Sequence, residues 1–83
     1  SDLDKESKAS EDAKELLDFV NEEWKVLRNQ CEAAFIKVDD KERRECEKAI
    51  ALAKDALETG KIDQCLNQLS DADSLMEKLR RRI

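Results

Sequence analysis

The chain has no proline and a single glycine, Gly60, among 83 residues. Proline and glycine end helices and build tight turns, so an all-β architecture with its many turns is excluded in favour of long helices. Histidine and tyrosine are absent as well, and the aromatic residues reduce to Phe19, Trp24 and Phe35. The commonest general base and metal ligand is therefore missing. No glycine-rich stretch exists to cradle a phosphate. No apolar run approaches the roughly 20 residues that span a bilayer, and no signal-peptide pattern opens the chain.

What remains is charge and helical rhythm. Charged residues make up 45% of the chain and hydrophobic ones 40%. Such a composition suits disorder unless the apolar residues recur at helical intervals, and here they do. Sixteen basic against 21 acidic residues leave a net charge of −5. That balance repels phosphate backbones and argues against nucleic acid as a partner; a membrane partner is not expected either. The run Arg80-Arg81-Arg82 reads as cations at a helix C-terminus, with a phosphate clamp as the alternative.

Along the chain, residues 1–9 are polar and expected to be frayed or weakly helical, with Ser10, Glu11 and Asp12 able to cap a helix. Ala13, Leu16, Leu17, Val20, Trp24, Leu27, Cys31 and Ala34/Phe35 then recur at three- and four-residue steps, the stripe of a helix near 10–36. Asp39 followed by Glu42 resembles a capping box. It opens a second helix near 40–59, striped by Cys46, Ala49, Ile50, Ala53 and Leu57. Gly60 is placed to end that helix in a left-handed conformation. Asp63 is expected to cap a third helix near 63–82. There Ile62, Leu69, Met76 and Ile83 recur every seven residues, with Cys65, Ala72 and Leu79 between them.

Two short links make neighbouring helices antiparallel. The fold class is an all-α, up-down-up three-helix bundle of one domain, with a core of Leu16, Val20, Trp24, Leu27, Cys31, Cys46, Ile50, Ala53, Leu57, Ile62, Leu69, Met76 and Leu79. Trp24, Ala53 and Leu69 fall at one level, a large ring facing a small residue. Cys31 and Cys46 share a level, with Cys65 about 16 Å away along the axis.

Chemistry is hard to find in this pattern. Three cysteines without a C-x-x-C pair fall short of the four ligands of a closed zinc site, so they read as reduced core thiols and no metal is expected. The carboxylate pairs Glu22/Glu23, Asp39/Asp40 and Asp71/Asp73 sit on polar faces or caps rather than in a pocket. No catalytic residue and no cofactor site is expected, and the chain is read as no enzyme. Trp24 in mid-stripe reads as core, with a surface anchor as its alternative.

Two stretches carry a resemblance. "DDKERRECEKAIALAKDALETGKIDQCLNQL" resembles two consecutive helices in the C-terminal lid of DnaK-type heat-shock chaperones. An acidic cap (Asp39, Asp40) precedes a charged helix ending in Ala56, Leu57, Glu58 and Gly60, then Ile62, Asp63 and a helix through Leu69. "RNQCEAAF", Arg28 to Phe35, is similar to a segment of the family's long lid helix. The likeness spans Glu22 to Leu79, although a stretch that usually separates the two segments is absent here. No latch residue of the family can be matched.

The resemblance implies a lid excised from a larger cytoplasmic chaperone. ATP would bind in another domain of the parent chain. Its partners would be unfolded client peptides, held by the parent's β-sandwich, and cochaperones. The alternative is a free-standing interaction module that docks a partner helix on one face.

Overall fold

Why the chain folds into three helices follows from where its small residues lie. The structure, a computed structural model, describes residues 2–83 as α1 (Asp2–Ala33), α2 (Asp40–Glu58) and α3 (Ile62–Arg80), without a strand among them. The three pack as an up-down-up bundle. The buried face of α2 is entirely small: Cys46, Ala49, Ala53 and Ala56. Small side chains let helix backbones approach, and α2 packs most intimately on α3. Larger residues come from the other two helices. Leu17, Val20, Trp24 and Leu27 of α1 and Leu69, Met76 and Leu79 of α3 complete the core, with Ala13, Ala72 and the three cysteines. Large side chains from two helices facing alanines on the third is the complementarity that fills such a core.

The long axis of the molecule, 51 Å, is set by α1. At 1.5 Å per residue its 32 residues span about 48 Å, against about 28 Å for each 19-residue partner. Residues 2–9 are therefore an exposed overhang, yet they are helical rather than frayed. A helix nucleated by packing from Ala13 onward propagates at one hydrogen bond per residue, and nothing upstream interrupts it. Asp2 and Asp4 add favourable negative charge in its first turn. Ser10 consequently sits inside α1 and caps nothing.

Both turns use one geometry. At the end of α2, the N–H of Gly60 donates to the Leu57 carbonyl and that of Lys61 to the Ala56 carbonyl, with Gly60 at φ 75°. This is the Schellman closure expected of a glycine. At the end of α1, the N–H of Phe35 donates to the Glu32 carbonyl and that of Ile36 to the Cys31 carbonyl, with Phe35 at φ 58°. A phenylalanine occupies the glycine position. The helix stops at Ala33 instead of running to residue 36, and Phe35 is thrown out of the apolar stripe to 97% exposure. Left-handed backbone costs a residue with a Cβ about 1–2 kcal/mol.

Other expected core positions shift for simple reasons of phase. Leu16 is 41% exposed, because Ala13, Leu17, Val20, Trp24, Leu27 and Cys31 define the buried line and Leu16 lies 100° off Leu17. Ile50, Leu57 and Ile62 are half-buried and pack against the edge of the core. Asp63 does not cap α3. The chain leaves the Gly60 closure directly into the helix, so the N-cap is Lys61 and Asp63 lies within the first turn, where it acts on the dipole alone.

Candidate functional site

Three features of the surface could carry function: the seam between α1 and α2, the node that ties the helix ends together, and the α1–α2 turn. The seam is built around Trp24. Its ring is 3% exposed, while its indole N–H reaches the polar edge and donates to Glu47 at 3.3 Å. Glu47 also accepts from Arg43 at 2.9 Å and from Arg28 at 3.5 Å. The Arg28 guanidinium lies 5.8 Å from the centre of the Trp24 ring, within cation–π range. Trp24 is thus core with a hydrogen-bonded rim, and its indole nitrogen meets Glu47 about 9 Å along α2 from Ala53, the residue expected at its level.

Outside this cluster the seam opens into a groove of about 720 Å³. Leu17, Trp24, Ile50, Ala51 and Leu57 form its floor, and Lys14, Asp18, Lys54 and Glu58 its rim. The floor is apolar because the flanking residues of α2 facing α1, Ile50 and Leu57, are only half covered. With Lys25, Arg28 and Glu47 the lining holds four cations and three carboxylates, a near balance that selects no ligand charge. Its volume falls in the range of small-molecule clefts, but no buried polar group converges on it.

The second feature is Glu42. Its carboxylate accepts the Asp39 N–H at 3.3 Å, one half of the capping box that Asp39 and Glu42 form. It also receives a two-pronged hydrogen bond from Arg82, one prong at 2.9 Å. The Arg82 hydrogen bonds hold the Glu42 carboxyl below the usual carboxylate range against partial desolvation, and Asp39 adds to the effect. One side chain therefore joins the α1–α2 turn, the start of α2 and the residues just past α3. Arg80 makes a similar tie, reaching Glu23 of α1 at 3.3 Å and Asp73 at 3.6 Å. Of the three consecutive arginines, two lock the bundle and Arg81 pairs with Glu77 on its own helix at 3.8 Å. The C-terminal-cation reading accounts for their positions; no phosphate clamp is assembled, since they point to different partners.

The carboxylate pairs do not converge. Glu22 pairs with Lys25 and Glu23 with Arg80, Asp39 caps α2, and Asp40 approaches Arg43 at 4.0 Å. Among the described residues no polar or charged side chain is buried, and no three Cys, Asp or Glu side chains gather as a metal site. All three cysteines are free and buried. Burial, with Glu42, Glu45 and Glu47 nearby, pushes the Cys46 thiol up to about 11, and burial also raises Cys65. Such thiols are poor nucleophiles.

Sequence reasoning placed a short α1–α2 link but missed that α1 ends at Ala33 in a left-handed closure at Phe35. Beside Ile36 and Val38 of this turn lies a second groove, of about 610 Å³, also lined by Lys25, Arg28, Arg43 and Glu32 but not by Phe35. The available signal was the spacing: the apolar stripe of α1 has to end before Asp39 caps α2, so one residue near 35 must turn left-handed.

No helix of the described residues is long and apolar enough to cross a membrane. No family model, curated protein or solved structure matches the chain. The fold defines a small all-α three-helix bundle.

Proposed function

We propose that the chain is the helical lid of the substrate-binding region of an ATP-dependent, DnaK-type chaperone, where it closes over a bound unfolded peptide and slows its release. The observation that supports this reading is the Asp39-to-Leu69 hairpin: the acidic cap Asp39 at the start of α2 and left-handed Gly60 past its end are among the residues on which the likeness to the family's lid rests. The cross-ties of Arg82 to Glu42 and Arg80 to Glu23 add the mechanical property a lid needs. They bind the helix ends into one body that moves as a unit on a hinge. In this reading the chain performs no chemistry and binds no cofactor. ATP is bound and hydrolysed in another domain of a cytoplasmic parent chain, and client peptides are held by that parent's β-sandwich.

A lid acts on the lifetime of a complex. It adds contacts after the peptide has entered, so its removal should raise the dissociation rate far more than the association rate. The experiment is release of a fluorescent peptide from the ADP-bound parent, with and without residues 1–83. Unchanged release rates would remove the lid mechanism. A simpler check is to read the coding sequence upstream of Ser1 for a continuous frame encoding an ATPase and a β-sandwich.

The open α1/α2 groove favours a second reading, an interaction module that takes an amphipathic helix along Leu17, Ile50 and Leu57. A start codon immediately upstream, with a partner helix protecting Ile50 and Leu57 from solvent, would support it over the lid.

A further inference from the structure

Two lines of residues at seam spacing run along α1, one residue apart. Ala13, Leu17, Val20, Trp24, Leu27 and Cys31 follow one another at four and three residues and are buried. Asp12, Leu16, Phe19, Glu23, Val26 and Gln30 repeat that spacing one residue earlier, about 100° round the helix. On this second line Leu16, Phe19 and Val26 are 41%, 61% and 47% exposed. A single exposed apolar side chain is ordinary, but three at seam spacing leave a strip of α1 without its packing partner. The strip is separate from both grooves, since none of the three residues lines either of them.

Carboxylates border the strip. On a helix surface the neighbours of Phe19 are the residues three and four away, and these are Glu15, Leu16, Glu22 and Glu23. Asp12 lies one turn before Leu16. Glu23 is tied to Arg80 at 3.3 Å, and Glu22 to Lys25 at 3.2 Å in an exposed pair. Arg80 is shared with Asp73 and Glu77 of α3, at 3.6 and 3.5 Å. Asp12 and Glu15 make no ion pair. Six carboxylates thus meet four cations: Lys25, Arg80, Arg81 on Glu77, and Lys8 one turn before Asp12. The border keeps a negative excess after every pair is counted.

We propose that the strip of Leu16, Phe19 and Val26 is a docking surface for a basic amphipathic helix of a partner protein. Apolar side chains of that helix, at their own three- and four-residue steps, pack along the strip, and its lysines or arginines pair with Asp12 and Glu15. Glu22 adds a third contact, because its exposed pair with Lys25 is worth little and exchanges for a partner's cation. Other coverings fit worse. A second copy joined about a two-fold axis would set two net-negative strips against each other. An anionic membrane would be repelled by the same carboxylates and by the net charge of −5. The inference rests on the outer face of α1 alone and does not depend on the lid reading.

The test is selection on the 83-residue chain from a displayed library of helical peptides, each about five turns long. Every member has a fixed leucine seam, and the positions beside it are randomised among lysine, glutamine and glutamate. The expected pool carries lysine beside the seam, and its affinity, read by fluorescence anisotropy, falls as salt rises. Phe19→Ser should weaken binding about tenfold or more with an unchanged helical spectrum, because the ring is mostly in solvent. Reversing two charges together, Asp12→Lys with Glu15→Lys, should weaken the lysine-rich peptides likewise. A pool with neutral or acidic flanks, no enrichment, or wild-type affinity in either variant would overturn the proposal. So would sedimentation of the wild type as a dimer that Phe19→Ser dissociates, which would assign the strip to a second copy.

Discussion

Replacing Trp24 with alanine tests the packing most directly. The ring is 3% exposed in the middle of α1, and the buried face of α2 next to its Glu47 partner is small, Cys46 and Ala49. Side chains this small cannot swing into a void, so most of the cavity should persist. The expected cost is then about 3–5 kcal/mol, the lost transfer energy plus the cavity. The polar edge adds a smaller part: the N–H to Glu47 is worth about 0.5–1.5 kcal/mol, and the Arg28 contact about 0.5–1 kcal/mol.

Trp24→Phe separates the two contributions, because it keeps most of the volume and loses the hydrogen bond. It should cost about 0.5–1.5 kcal/mol, the hydrogen bond to Glu47, since a phenyl ring still offers Arg28 a face. For 83 residues the whole folding free energy is about 4–12 kcal/mol, so Trp24→Ala removes a large share of it. Urea unfolding followed by far-ultraviolet circular dichroism gives both differences at constant slope. If Trp24→Ala lies within about 1 kcal/mol of wild type, the range of a surface change, the ring is not the keystone of this core. If Trp24→Phe costs as much as Trp24→Ala, the effect belongs to the Glu47 edge and the cavity argument fails.

Other outcomes follow from single features. Gly60→Ala should cost about 1 kcal/mol and Gly60→Val about 2–3, a purely torsional effect since no atom lies within 4 Å of the added Cβ; equal melting of both with wild type would remove the left-handed cap. Glu42 is held below its ordinary range by Arg82, so its stabilisation is present above the unfolded value of about 4.3 and is lost as pH falls through the lower folded value. The acid-side decline in stability should therefore be shallower in Arg82→Ala than in wild type, and parallel curves would show the pair to be inert. Because Cys46 is buried and its thiol is raised to about 11, alkylation by iodoacetamide at pH 8 should proceed only through unfolding. Labelling at the rate of a free thiol, read by mass spectrometry, would contradict the small-residue face of α2.

Helix number, helix order and the Gly60 turn were legible in the sequence because each rests on local chemistry. A period of three and four residues, an Asp39–Glu42 box and a lone glycine all act within one turn of helix. Phase was less legible. Leu16 and Leu17 both fit the stripe of α1, and only the fit against α2 and α3 decides that Leu17 goes inward and Leu16 stays 41% exposed. The start of α1, left open between frayed and weakly helical, was ambiguous for a related reason: residues 2–9 have no apolar face of their own, and their helix is inherited from the packed segment that follows.

The same contrast explains why the expulsion of Phe35 stayed hidden while the core did not. A buried stripe is written as periodic spacing, whereas Phe35 fits that spacing and is expelled from it by a backbone closure that depends on where α2 must begin. Asp39 has to cap α2, and Cys31 has to remain in the core, so the chain between them has to reverse in a few residues. A Schellman closure at position 35 achieves this, with Ile36 returning its N–H to the Cys31 carbonyl at 2.8 Å. Once that closure forms, Ile36 and Val38 turn inward enough to be half-buried and Phe35 has to face water. Glycine would serve the closure better, as Gly60 does at the other turn. Phe35→Gly should therefore raise the melting temperature by relieving the left-handed backbone without loss of any core contact, and an unchanged melt would show the closure to be unstrained.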